Sequence, residues 1–198
     1  WMADRKAVDP ALADTALFVG AQNGNAQLFD AMMHALRAST DGIDRRNLMV
    51  SLLSFRDPSL SQRALGMLLD PTLDVRDATA ALGIATAIAP PSREPYDFIV
   101  AHFDALAARV DRDAPARWPY YAAALCSSDD RAAVEAFWRP RVARYAGAER
   151  NLAETLEAID ACAHLRAREG ANVDAYLARS LRPFNAWRGA SRSRSSSN

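Results

Sequence analysis

The stretch from Ser54 to Ala89 constrains the fold most, because it reads as two helices joined by a tight corner. Asp57 can cap the first helix, and Pro58 can take its first position, where a missing N–H costs nothing. Leu60, Ala64, Leu65, Leu68 and Leu69 recur at helical spacing and leave Gln62 and Arg63 on the wet side. Asp70-Pro71 is a breaker, since the residue before a proline is pushed out of the helical region. Asp74 can cap the second helix, in which Val75, Ala78, Leu82, Ala85 and Ile88 form one apolar stripe. Helices this short are marginal alone, so the pair must stack on further pairs. That is the logic of a helical array.

The rest of the chain repeats it. Pro10 to Gln22 reads as a helix with Asp9 as its cap, and Asn23-Gly24-Asn25 as a turn in which Gly24 can take positive φ. Ala26 to Ala38 carries Leu28, Phe29, Met32, Met33 and Leu36 at spacings of three and four. Ser39 to Gly42 breaks it, and Arg45 to Phe55 comes next with Leu48, Leu52 and Leu53 inward. After the proline-rich loop Ala89–Pro95, the segment Tyr96 to Val110 is expected to be one amphipathic helix, with Asp97, Asp104 and Arg109 outward. Pro115 to Leu125 is short and aromatic. Ser127 to Asp130 opens a helix that Pro140 should kink or end. Arg150 to Arg168 is the longest regular segment, which Gly170 is expected to stop before a last helix from Val173 to Leu181.

The expectation is all-α: a right-handed α-α superhelix, a HEAT- or armadillo-like solenoid of about ten antiparallel helices. Residues 1–189 are expected to form one helical-repeat domain and 190–198 a disordered tail, because its Arg-Ser alternation has nothing to bury. No fixed repeat period is visible.

Composition excludes several function classes. Lys+Arg 24 against Asp+Glu 24 gives a formal net charge of zero, and with it no general reason to expect nucleic acid or an anionic membrane as partner. No apolar run approaches the roughly 20 residues that span a bilayer. No signal peptide is visible at Trp1, and a Trp before the first Met suggests a fragment of a longer chain. His34, His102 and His164 are isolated, and none has a histidine four residues away, as a helical zinc site needs. They read as surface or core residues. Cys126 and Cys162 lack a histidine positioned as a base and read as small buried hydrophobes. Glu154, Glu157 and Asp160 read as a solvated helix face, and Trp118, Tyr120 and Tyr121 as core packing.

Four patches, in order, carry a resemblance. Val8-Asp-Pro-Ala-Leu with Ala21 to Asn25 is similar to an opening helix and its Asn-Gly-Asp turn. Phe55 to Leu60 with Leu68-Leu69 and Val75-Arg-Asp77 is similar to a "dp-l" helix followed by "vr-qD", with one residue lost between arginine and aspartate. Ser92 to Leu106 is similar to an "aW-fl--nw--l" segment, with Tyr96 where the usual residue is tryptophan. Glu149 to Ile159 is similar to an "r-laqalE-I" helix. Together they resemble the C-terminal helical domain of zinc aminopeptidases of the puromycin-sensitive and endoplasmic-reticulum type, bacterial members in particular.

The resemblance implies a non-catalytic domain. It would enclose the catalytic cleft and help bind peptides whose N-terminal residues the parent removes. Its partners would be the catalytic domain of the same parent chain and peptide substrates. Zinc belongs to that parent; the family's H-E-x-x-H signature lies in an earlier domain and is absent from this sequence. Arg93 is the candidate substrate-binding residue, since a guanidinium suits a peptide carboxylate; local pairing is its simpler role. The rival reading is a free-standing helical-repeat adaptor that binds another protein. The compartment stays open: periplasmic or extracellular if the parent is exported, otherwise cytoplasmic. In the oxidising case Cys126 and Cys162 could pair, since elements two apart in a helical stack often lie side by side; otherwise they stay separate buried thiols.

Overall fold

The structure is a computed structural model, and it describes residues 1–2, 4, 7–74, 82 and 93–180. Among them every regular element is helical. α1 (Ala13–Gln22), α2 (Ala26–Ala38), α3 (Gly42–Leu52) and α4 (Pro58–Gly66) come first, the last running into a 3-10 turn, Met67–Leu69. α5 (Glu94–Ala101), α6 (Phe103–Ala107), a 3-10 segment (Ala114–Ala122), α7 (Ser128–Trp138) and α8 (Ala148–Ser180) complete the order. α1 and α2 both pack on α3, while α8 packs on the 3-10 segment and on α7. One apolar cluster runs through all of these, from Leu17 to Ile159.

Local chemistry explains most of the boundaries. Asp57 caps α4 by accepting from the N–H groups of Ser59 and Leu60, with Pro58 in the first turn. Asp41 caps α3 and Ser127 caps α7 in the same way. α4 ends in the Met67–Leu69 turn, and Asp70 adopts an extended conformation before Pro71. α7 stops at Trp138, just before Pro140. The second helix of the central corner lies outside the described residues except for Leu82, which is buried in the core. The expected tail, 190–198, also lies outside them.

Several expectations are corrected. Gly170 does not stop the last long helix: α8 continues without interruption to Ser180, so no separate helix begins at Val173. An interior glycine costs only about 1 kcal/mol against alanine, and its neighbours are good helix formers. Tyr96 to Val110 is not one helix. It breaks at His102 (φ −116°, ψ 21°), and the break lets Ile99, Phe103 and Leu106 all reach the core. The aromatic segment is 3-10 rather than α, since Pro115 and Pro119 remove two N–H donors from it. Gly24 does not use a positive φ; Gly147 alone does among the described residues. Gly24 is needed for space instead: a Cβ there would lie 2.7 Å from Phe55 Cε1 and 2.9 Å from Leu28 Cδ2. Asp9 accepts from the Ala11 N–H and so caps the 3-10 turn Pro10–Leu12, not α1 itself.

Arg109, expected outward, turns inward instead. Its guanidinium crosses to the corner after α4, where Nη1 donates to the Leu68 carbonyl and Nη2 to those of Asp70 (2.7 Å) and Leu73 (2.8 Å). Helix ends leave carbonyls without partners, and this one side chain donates to three at the corner, of which the Asp70 carbonyl also accepts from the Leu73 N–H at 3.2 Å.

Phe103 is the hub of the second half. It meets Trp118, Phe137, Trp138 and Tyr145 edge-on, with ring centroids 5.4 to 6.2 Å apart. The Tyr96 hydroxyl and the Trp138 indole N–H are buried, without an ordinary hydrogen-bond partner among the described residues. Burial pushes the Tyr96 phenol up to about 12, and the neighbouring Trp138 offsets part of that rise.

Candidate functional site

Arg93 precedes α5, whose first turn holds Glu94, Pro95 and Asp97. Its Nε donates to both Asp97 oxygens, at 2.9 and 3.1 Å, one helical turn away. Its Nη1 donates to Asp130 in the first turn of α7, and Asp130 also accepts from the Ser127 hydroxyl at 2.6 Å. Desolvation opposes the charge on Arg93, but Asp97 and Asp130 outweigh it and raise its pKa above the usual arginine value. Arg93 therefore ties α5 to α7 while keeping 42 % of its side chain exposed. A third carboxylate could approach only from that exposed side.

A charged groove of about 460 Å³ opens along α2 and α4. Phe29, Met33 and Met67 contribute apolar lining, and Asp30, His34, Arg37, Arg63 and Asp70 the charged or titratable lining. Arg63 lies over the Phe29 ring, 4.5 Å from its centroid, and donates to Asp30 at 2.7 Å. Arg37 stands 3.7 Å from Asp70. Thr72 hydrogen bonds, more than Arg37 or Arg109, hold the Asp70 carboxyl below the usual carboxylate range. The groove is balanced in charge and favours neither ion sign.

The other residues singled out in the sequence are scattered over the fold. His34 is exposed in the groove on α2, His102 packs on Phe98 with centroids 4.5 Å apart, and His164 is exposed on α8. Among the described residues no three His, Cys, Asp or Glu side chains come together as a metal site. Cys126 and Cys162 are joined by a disulfide, with Cα atoms 5.2 Å apart. It fastens α8 to the chain entering α7, just past Ile159, the last buried residue of α8. The three acids on α8 have separate fates. Glu154 accepts from Tyr120 and from Arg150, Asp160 accepts from Arg131, and Glu157 stands apart. Trp118 is core; Tyr120 is exposed, and Tyr121 is half-buried with its phenol pushed up to about 12 by desolvation.

Sequence reasoning missed the structural arginines. Besides Arg109, Arg141 lies over the Phe137 ring at 3.9 Å and donates to the Phe137 carbonyl. Arg131 bridges Glu135 and Asp160. Arg109 and the Arg131–Asp160 bond reach partners 29 or more residues away and leave no periodic trace, whereas Arg141–Phe137 and Arg131–Glu135 are four-residue spacings that the sequence does show.

The arrangement offers two charged surface clefts, and among the described residues no His, Cys, Asp and Glu side chains are assembled as a metal cage. No curated protein matches the chain. A family model described as the ERAP1-like C-terminal domain matches residues 1–161, all but the overhanging end of α8 and the residues beyond it. With four-fifths of its length covered in this way, the chain belongs to the ERAP1-like C-terminal domain family.

Proposed function

We propose that the chain is the non-catalytic C-terminal domain of a zinc aminopeptidase, closing over the catalytic cleft and contacting the peptide as its N-terminal residues are removed. The family match over residues 1–161 carries this reading. The lack of H-E-x-x-H in the sequence supports it, and so does the scatter of His34, His102 and His164 over separate elements. These residues do not fit a zinc site, so metal chemistry is assigned to the parent's catalytic domain. Stacked helices in a superhelix would offer that domain a concave cover. Arg93 is the side chain proposed to meet the far end of the peptide, through the donors left on its exposed side.

The test is kinetic and uses the parent enzyme with Arg93→Ala. The expected result is a raised KM for peptides with a free C-terminal carboxylate, unchanged kinetics for the same peptides as amides, and unchanged turnover of an aminoacyl-anilide. Equal effects on acid and amide peptides would reject the role of Arg93. Aminoacyl-anilide turnover by the isolated chain with added zinc would reject the non-catalytic assignment.

A further inference from the structure

A second groove, of about 420 Å³, lies along α7, the turn after it and α8. Val142, Leu152, Ala153 and Leu156 supply its apolar lining. Arg131 and Arg139 stand on the α7 side, and Glu149, Glu157 and Asp160 on α8. The charges divide into two groups. Arg131 donates to Asp160 at 2.8 Å and to Glu135 at 2.7 Å, and Arg139 donates to Glu135 as well. Two guanidiniums and two carboxylates thus close on themselves. Among the described residues Glu149 and Glu157 have no ion-pair or hydrogen-bond partner, and both are exposed. Glu149 is explained in part by the dipole at the start of α8. Glu157, in mid-helix, has no such compensation.

Glu149, Ala153 and Glu157 succeed one another at single-turn spacing, so the two open carboxylates stand about 12 Å apart along the helix. Ala153, small and exposed, leaves a shallow notch between them, bordered by Leu152 and Leu156. A long basic side chain matches such a place: its aliphatic stem covers apolar surface while its cation meets a carboxylate.

We propose that this groove docks a basic segment of a protein partner. One lysine or arginine would lie along Leu152, Ala153 and Leu156 with its cation on Glu157, and a second, about two helical turns away, would meet Glu149. This is an interaction surface separate from Arg93, and it does not depend on the aminopeptidase reading. The probe is a short fluorescent helical peptide with two lysines eight residues apart and a leucine midway, titrated into the full chain and followed by anisotropy. The expected result is saturable binding that weakens about fivefold in Glu157→Gln, as befits one exposed ion pair, and weakens again with added salt. Ala153→Lys, which places the chain's own cation in the notch, should abolish binding, with far-UV dichroism confirming that each variant stays folded. Three results would overturn the proposal: no saturable binding, equal binding by Glu157→Gln, or equal binding of a peptide with glutamine in place of both lysines.

Discussion

Arg109 offers the sharpest test of how the two halves are joined. Arg109→Met keeps most of the aliphatic stem and removes every donor. The carbonyls of Leu68 and Leu73 then lose the guanidinium, and that of Asp70 keeps only the Leu73 N–H at 3.2 Å. A hydrogen bond to a charged donor contributes about 1.5–3 kcal/mol, and three from one side chain do not add in full. Water can reach part of this corner, since Asp70 is half-buried and Pro71 and Thr72 are exposed. The expected loss is therefore about 2–4 kcal/mol, a large share of a domain's stability. Arg109→Lys should fall between, because an ammonium reaches one or two carbonyls but cannot fork to three. Arg112→Met, at an exposed neighbour, should change stability by less than about 0.5 kcal/mol. Urea melts with unchanged m-values give the comparison. Should Arg109→Met match Arg112→Met, the carbonyls are adequately hydrated without Arg109, and the clamp contributes nothing.

Three further outcomes rest on the same kind of contact. Gly24→Ala should destabilise by about 1–3 kcal/mol in a denaturant melt, since Phe55 and Leu28 must shift to admit a Cβ; a neutral result would show that both side chains move freely. Stability should be full below pH 10, where Tyr96 is neutral in both states, and should fall as pH rises toward 12, because the unfolded phenol ionises near 10.0 and the buried one at about 12. The loss assigned to Tyr96 is about 2–3 kcal/mol, and an alkaline limb unchanged in Tyr96→Phe would contradict it. The Cys126–Cys162 bond closes a separation of 36 residues, so reduction should cost about 3–4 kcal/mol; two free thiols in chain folded under oxidising conditions would rule the bond out.

Legible and hidden features divide along physical lines. The Asp57–Pro58 start, the Asp70-Pro71 stop and the Ser127 start are legible because caps and prolines act over a few residues. The inward positions of Leu60, Leu65, Ile99 and Ile159 are legible from helical spacing. Gly170 misleads because a single glycine is a weak signal that a long helix absorbs. The break at His102 is invisible because the apolar positions on either side stay in helical register, and only tertiary packing rotates Phe103 to the centre of an aromatic cluster. At the candidate site, the position of Arg93 before a helix is legible. Its bond to Asp130 is not, since the two residues are 37 positions apart and on different elements. The groove below Glu157 is hidden for the same reason: one wall comes from α7, and the sequence shows only a charged face on α8.

The proposed role requires that this domain belong to an aminopeptidase without performing its chemistry. The most direct measurement isolates the native polypeptide with an antibody against this chain, and records its mass, zinc content and aminoacyl-anilide turnover together. The expected result is a zinc-bound species well above 21.6 kDa that turns the anilide over, with H-E-x-x-H in its upstream sequence. A native species of about this chain's own mass, without zinc and without turnover, would contradict it.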